Sequence, residues 1–144
     1  MQLSIKLMSE FAQMPTYGDP GAAGLDVYSA YDYTLHAHDR AIINTDVAMN
    51  WEGPKADQYY MRIAPRSSLA VKGIDVAAGV VDYSYSGMYK IILVNHRDTD
   101  YQVKRGDRVA QLILTKIKRV ANIIVVDELK ETERGEKGFG STGQ

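Results

Sequence analysis

Apolar and polar side chains alternate in short segments along most of the chain, and Gly, Pro, Asn or Asp separate these segments. Alternation with a period of two is typical of strands, as is enrichment in Val and Tyr. No helical periodicity continues beyond about two turns. The pattern therefore predicts an all-β fold, a jelly-roll-like sandwich or barrel of short strands. The predicted strands cover 2–7, 25–29, 31–35, 41–49, 58–64, 79–82, 88–94, 101–104, 108–116 and 122–126, with a loop at 16–24.

Residues 79–94 predict a β-hairpin whose turn is bracketed by the small residues Gly79 and Gly87. Asp82 lies at the mouth of this hairpin and Tyr85 lies near its tip. The exposed backbone groups of such a turn are able to read the edge of a flat ligand, and the acid is able to orient a water molecule. By itself the stretch favours a simpler interpretation, a plain hairpin with a solvent-exposed Asp.

Two runs, 91–94 and 123–126, are apolar at every position. A strand that is buried on both faces in so small a protein indicates a subunit interface, although a loop covering one face explains the pattern equally well.

The last segment, 131–144, is charged at first and rich in Gly later, with Phe139 as its one aromatic residue. This composition predicts a mobile tail that follows a single domain at 1–130. Such a tail is able to close over a ligand, whereas a frayed terminus is the alternative.

The composition narrows the classes of function. A chain of 144 residues is long enough for one domain with its own core. The net charge of −1 gives no basis for a nucleic-acid or anionic-membrane partner, and no run approaches the roughly 18 apolar residues that span a bilayer. There is no Cys, which excludes disulfides and thiolate catalysis. Because the N-terminus also lacks a signal-peptide pattern, we expect an intracellular protein, cytoplasmic or nuclear. His36 and His38 are expected at the surface, since the His spacing does not suggest a zinc site.

One further stretch carries chemistry. Arg66, Ser67 and Ser68 lie where a predicted strand gives way to one helical turn at 67–71, with Ser67 as its cap. An Arg fork beside helix N–H groups is suited to a phosphate. The sequence contains no P-loop, no dinucleotide-binding glycine motif and no Ser-His-Asp arrangement that spacing would support.

Five stretches, in order, resemble the five motifs of the trimeric deoxyuridine triphosphatases (dUTPases). The resemblance covers nearly the whole chain, and it is carried by residues 22–30, 65–70, 79–87, 106–113 and 134–143.

The resemblance implies an enzyme that hydrolyses dUTP to dUMP and pyrophosphate, by attack of water on the α-phosphorus. In this family the residue matching Asp82 activates the water, and the one matching Tyr85 packs under the deoxyribose and excludes a 2′-hydroxyl. The hairpin backbone reads the uracil edge, which implicates Gly79, Val80, Val81 and Lys90.

The resemblance also implies a Mg²⁺ cofactor, which substrate phosphates hold and which Asp26 contacts through water. Each site of the expected homotrimer is shared by three chains: one supplies the first, second and fourth motifs, another the hairpin and the third the tail. The residues matching phosphate ligands are Arg66, Ser67, Ser68, Gln111 and Arg134, while Phe139 matches the residue that stacks on uracil and Gly140, Ser141 and Thr142 match those that close the phosphate end.

The chain departs from the family pattern at Leu25, Ser68 and Tyr83, where Tyr, Gly and a polar or acidic residue are usual. None of these departures removes a catalytic group. Three other readings stay open: a dCTP deaminase-like relative, a dUTP-binding regulatory module with weak turnover, and a β-sandwich with a structural role.

Overall fold

The computed structural model describes residues 1–136. Within this range the backbone forms eleven strands, one short α-helix and one 3₁₀ turn. The strands are β1 (Gln2–Leu7), β2 (Thr16–Tyr17), β3 (Leu25–Tyr28), β4 (Tyr33–Leu35), β5 (Arg40–Glu52), β6 (Tyr59–Ala64), β7 (Ile74–Ala77), β8 (Val80–Val81), β9 (Met88–Asn95), β10 (Tyr101–Val103) and β11 (Arg108–Lys116), with the 3₁₀ turn at Ala56–Gln58 and helix α1 at Ser67–Ala70.

The strands pack as two antiparallel sheets around one core. The first sheet has the order β1-β5-β9-β7 and the second β2-β3-β11-β6-β8, while β4 and β10 form a separate ribbon. Ile43, Trp51 and Leu93 from the first sheet and Met61 and Leu112 from the second join the same core, each 1% exposed or less. The all-β prediction is therefore confirmed. Neither helical segment in residues 1–136 is long and apolar enough to cross a membrane.

Several local predictions differ from the structure. The loop predicted at 16–24 contains the short strand β2, and β7 was not predicted at all. Helix α1 forms where it was expected, but Arg66 is its N-cap residue and no side chain caps it, so the predicted capping by Ser67 is wrong. His36 and His38 are exposed as predicted, and they are hydrogen-bonded to Asp100 and Asp98.

The predicted strand at 122–126 is also wrong. The side chains of Ile123, Ile124 and Val125 are 91%, 77% and 100% exposed. A strand needs a neighbour to satisfy its backbone hydrogen-bonding groups, and no strand of residues 1–136 pairs with this segment. The apolar run thus belongs to an exposed arm, residues 118–130, that lies outside the sandwich core.

The hairpin predicted within 79–94 has a different pairing. β8 pairs with β6 of the second sheet, whereas β9 lies between β5 and β7 of the first. The side chains of β9 alternate between the two faces of the sheet. Ile91 and Leu93 lie in the core, and Ile92 and Val94 are half-buried on the other face. The turn after β8 therefore crosses from one sheet to the other, and the two arms diverge to leave a gap between them.

Candidate active site

A cleft of about 220 Å³ lies where β8 and β9 diverge. Ile63 of β6 and Ala77 of β7 line it on either side, so both sheets contribute to its walls. The residues predicted on the hairpin line this same cleft: Gly79, Val80, Val81, Asp82, Tyr85 and Lys90.

Gly79 brings the backbone entering β8 close to β6. Its O accepts a hydrogen bond from the N of Ile63 at 2.8 Å, and its φ is +112°. A Cβ at this position would lie 2.5 Å from the carbonyl oxygen of Ile63. Only Gly combines this backbone conformation with this close approach.

The turn that follows β8 folds back on itself. The N of Tyr85 donates to the O of Asp82 at 3.0 Å, and the Tyr85 hydroxyl donates to the O of Met88 at 2.9 Å. The ring covers Gly87, where a Cβ would lie 2.6 Å from the Tyr85 hydroxyl oxygen. The cleft thus has an oriented aromatic wall beside the exposed carboxylate of Asp82.

Tyr89 supports this wall from the core side. It is 1% exposed, and its ring centroid lies 6.2 Å from that of Tyr85 in an edge-on arrangement. Burial, with a smaller effect from Tyr85, raises the pKa of its phenol, so Tyr89 remains neutral. Its hydroxyl has no hydrogen-bond partner within residues 1–136. Sequence analysis missed Tyr89 as a cleft residue, although its position two before Ile91 in β9 gives it the same core-facing parity.

A cluster of one acid and two arginines lies on the second sheet. Arg66 Nε donates to Oδ1 of Asp26 at 3.0 Å, and Arg108 Nη1 donates to Oδ2 of Asp26 at 3.2 Å. The order β3-β11-β6 brings these residues together, because Asp26 is on β3, Arg108 begins β11 and Arg66 follows β6. Arg108 was not among the predicted site residues, and its place in the segment 106–113 was the available signal.

Gln111 lies beside this cluster at the centre of the sheet. It pairs with Asp26 on β3 and with Ala64 on β6, and its Nε2 donates to the O of Pro65 at 2.9 Å. A Cβ at Gly24 would lie 3.1 Å from Oε1 of Gln111, so the backbone of the first motif approaches it closely. Gln111 thus connects the first, second and fourth motifs.

A second cleft, of about 210 Å³, is cationic. Arg66, Lys72 and Arg108 line it together with Ser68, and Asp107 is the acid at its edge. Ser67 is exposed nearby at the start of α1. Serine hydroxyls and guanidinium groups in this arrangement are suited to phosphate oxygens.

The two clefts have no lining residue in common. Within one chain, the predicted phosphate residues of the second and fourth motifs therefore lie near Asp26. They do not share a pocket with Asp82 and Tyr85. Arg134 is exposed on the segment after the sandwich, while Phe139, Gly140, Ser141 and Thr142 lie outside the described residues.

These features define a β-sandwich with one mainly apolar cleft and one cationic cleft, a combination whose chemistry suits a nucleotide. The dUTPase family model matches residues 10–143. The chain is 48% identical to a deoxyuridine 5′-triphosphate nucleotidohydrolase of Candida glabrata, over 99% of this chain and 96% of the relative. The Saccharomyces cerevisiae protein of that name is 50% identical over 98% of this chain and 94% of its own length.

Solved structures of dUTPases are also similar to this chain. The dUTPase of Staphylococcus bacteriophage 80alpha with dUPNHPP is 28% identical, with a TM-score of 0.86 and coverage of 99% of both chains. A mutant dUTPase from phage phi11, whose structure is described as coordinating a structural Mg(II) ion, is 26% identical with a TM-score of 0.73, over 95% of this chain and 100% of the phage chain. The chain belongs to the dUTPase family, which confirms the resemblance recognised in the sequence.

Proposed function

We propose that this dUTPase hydrolyses dUTP to dUMP and pyrophosphate, with Asp82 activating the attacking water. The observation that carries this proposal is the position of Asp82, exposed at the mouth of a cleft with an aromatic wall and open backbone edges. A carboxylate within hydrogen-bond reach accepts a proton from the water as the water oxygen attacks the α-phosphorus and pyrophosphate leaves. We propose an intracellular location, in the cytoplasm or the nucleus, as expected of an enzyme of nucleotide metabolism.

The open strand edges around the cleft support recognition of uracil by the backbone. β8 is the edge strand of its sheet. The pairing of β7 with β9 ends at Ala77, opposite Ile92, so among residues 1–136 no strand pairs with that side of β9 near Lys90. Edge strands present unpaired N–H and C=O groups. Those of Val80, Val81 and Lys90 would match the donors and acceptors of uracil, mismatch cytosine and leave no room for the methyl group of thymine.

Tyr85 is proposed to carry the deoxyribose. Its hydrogen bond to Met88 and its contact with Gly87 hold the ring in one orientation. A ring held against the sugar leaves no space for a 2′-hydroxyl, so UTP would be rejected by steric conflict.

The cationic cleft is proposed to hold the phosphates. Arg66 and the exposed hydroxyls of Ser67 and Ser68 supply donors, and Gln111 adds a polar group beside them. Arg66 keeps its orientation through Asp26 and through the carbonyl oxygen of Arg108, to which its Nη1 donates at 3.2 Å. The other guanidinium N–H groups are proposed to donate to a triphosphate.

The residues around Asp26 fit a magnesium ion held through water. Each carboxylate oxygen of Asp26 accepts one guanidinium hydrogen bond and retains a free lone pair. A water ligand of Mg²⁺ therefore has an acceptor without loss of either arginine, and substrate phosphates would supply the inner ligands. The ion would neutralise charge on the triphosphate.

The active unit is proposed to be a homotrimer. The arm exposes Val120 by 73% and Leu129 by 86%, in addition to the apolar run 123–126. An exposed apolar segment of this kind is typical of a surface that another chain covers. A trimer would also let the cationic cleft of one chain face the Asp82 cleft of another, with the tail from a third.

The position of attack is tested by hydrolysis in water enriched in ¹⁸O. Attack on the α-phosphorus transfers the label to dUMP and leaves pyrophosphate unlabelled. Label in pyrophosphate alone would place the attack on the β-phosphorus and contradict the proposed arrangement.

Tight dUTP binding without turnover would favour the alternative function, a dUTP-binding regulatory module.

A chain that ends at Glu133 should remain a trimer and lose activity. Removal of Arg134 and Phe139 deletes a charged phosphate contact and a base-stacking ring, so kcat/KM should fall about 100-fold or more. Steady-state kinetics and light scattering measure the two properties, with a chain that ends at Gly143 as the control. Dissociation of the trimer would show that the tail has a structural role instead.

A further inference from the structure

Tyr83, the residue after Asp82, contacts the single Trp of the chain. The ring centroids of Tyr83 and Trp51 lie 5.7 Å apart with an interplanar angle of 63°. This edge-to-face geometry is among the favourable arrangements of aromatic pairs, worth about 0.5–1.5 kcal/mol beyond burial. Trp51 is 1% exposed, whereas Tyr83 is 37% exposed. Tyr83 of the turn thus packs against a ring that belongs to the core.

Trp51 itself is held firmly. It lies near the end of β5, opposite Leu3 of β1, and its Nε1 donates to the O of Ala56 at 3.0 Å. The ring therefore gives Tyr83 a stationary surface, bounded by the sheet on one side and the 3₁₀ turn on the other.

The turn has few other attachments. β8 contributes only two ladder positions, Val80 and Val81 against β6. Beyond Val81, residues 82–86 are all exposed. The hydrogen bonds of Tyr85 in this region run to Asp82 and Met88, within the turn itself or to the strand it enters. Among residues 1–136, two side chains of this turn meet buried rings. Tyr85 packs edge-on against Tyr89, on the strand that the turn enters, whereas Tyr83 reaches Trp51 on another strand, β5.

We propose that Tyr83 is a positioning residue, whose contact with Trp51 holds the turn so that Asp82 stays aligned for water activation. The inference rests on the proposed role of Asp82. Tyr83 does not touch the reacting atoms. It acts through the backbone it shares with Asp82, and displacement of a catalytic group by about 1 Å can cost about 100-fold in rate.

The structure also supplies a reporter for this contact. Because Trp51 is the one Trp of the chain, the intrinsic indole fluorescence arises from this ring alone. Tyr83 covers part of it, so loss of the Tyr83 ring admits water and moves the emission to longer wavelength.

The test compares Tyr83→Ala, Tyr83→Phe and, in the same exposed turn, Ser84→Ala. The hydroxyl of Ser84 makes no hydrogen bond within residues 1–136, so its removal is a matched control. Tyr83→Ala should lower kcat by about 10- to 100-fold with a smaller change in KM. It should also relax the preference for dUTP over UTP, because Tyr85 shares the turn. The emission of Trp51 should shift to the red. Tyr83→Phe keeps the ring edge and should match the unmodified protein, as should Ser84→Ala.

Two results would overturn the inference. One is an unchanged kcat in Tyr83→Ala, and the other is an equal loss in Tyr83→Phe, which would assign the effect to the hydroxyl. Should Tyr83→Ala not fold, Tyr83→Leu keeps apolar cover over Trp51 without a ring edge, and a kcat equal to that of Tyr83→Phe would contradict the proposal.

The proposed function is separable from this inference. Asp82→Asn should lower turnover about 10²- to 10⁴-fold without moving Trp51 emission, because the turn stays in place. If Asp82→Asn keeps its activity, the role of Asp82 fails. The Tyr83 contact would still be judged by emission and by selectivity for dUTP.

Discussion

Asp82→Asn should bind dUTP nearly as tightly as the unmodified protein and turn it over about 10²- to 10⁴-fold more slowly. The amide has the shape of the carboxylate and still accepts a hydrogen bond from water, but it cannot take up the proton. In the proposed site, binding depends on the backbone edges, Tyr85 and the cationic cleft, none of which this substitution changes. Calorimetry gives the affinity, and pyrophosphate release gives kcat.

Asp75→Asn is the matched control for this experiment. Asp75 is an exposed acid on β7, its Oδ1 accepts from the N of Val76, and it does not line the cleft. This variant should keep full turnover. A near-normal rate in Asp82→Asn would remove the water-activating role from Asp82.

The second large effect is expected from Gly79→Ala. The added methyl group would lie 2.5 Å from the carbonyl oxygen of Ile63, at a φ of +112° that L-residues rarely adopt. Backbone strain and this collision should lower the free energy of unfolding by about 3 kcal/mol. Because β8 must move away from β6 to relieve the collision, kcat/KM for dUTP should fall as well. Urea denaturation and steady-state kinetics measure these changes.

Ala78, the residue before Gly79, allows the reverse substitution, Ala to Gly, as a control for the effect on stability. Ala78 has a φ of +61°, a left-handed conformation that an L-residue adopts at some cost. Ala78→Gly removes that cost but adds freedom to the unfolded chain, so stability should change by less than about 1 kcal/mol. Equal losses in Ala78→Gly and Gly79→Ala would show that the segment, rather than the close approach at Gly79, determines stability.

The sequence predicted strands well where alternation and pairing agree. Both ends of β1 were predicted correctly, because β1 alternates and pairs with β5 at every position. Both ends of β11 were also correct: its side chains do not alternate strictly, but it pairs with β3 and β6 along most of its length. The segment 122–126 is rich in β-branched residues and forms no strand, because strand formation also needs a neighbour and no strand of residues 1–136 pairs with it. β7 was missed because four residues between glycine-containing turns give too little alternation to recognise.

The sequence predicted which residues line the candidate site better than it predicted how they are arranged in space. The stretch around Gly79, Asp82 and Tyr85 by itself favoured a plain hairpin, and the resemblance to the dUTPases is what gave it a ligand-reading role. These residues do line one cleft. The pairing of its arms with different sheets, and the contribution of Arg108, depend on strand order, which local patterns do not encode. The sequence also carried no sign that Tyr83 would meet Trp51, since the two are joined only by the fold.

The central claim is tested most directly by pyrophosphate release with Mg²⁺, measured in parallel for dUTP, dTTP, dCTP and UTP. Release from dUTP alone is the predicted result, since the open strand edges are proposed to read uracil and Tyr85 is proposed to exclude a 2′-hydroxyl. Release from UTP at a similar rate would contradict the role of Tyr85. Absence of release from dUTP that is nonetheless bound would contradict the account as a whole.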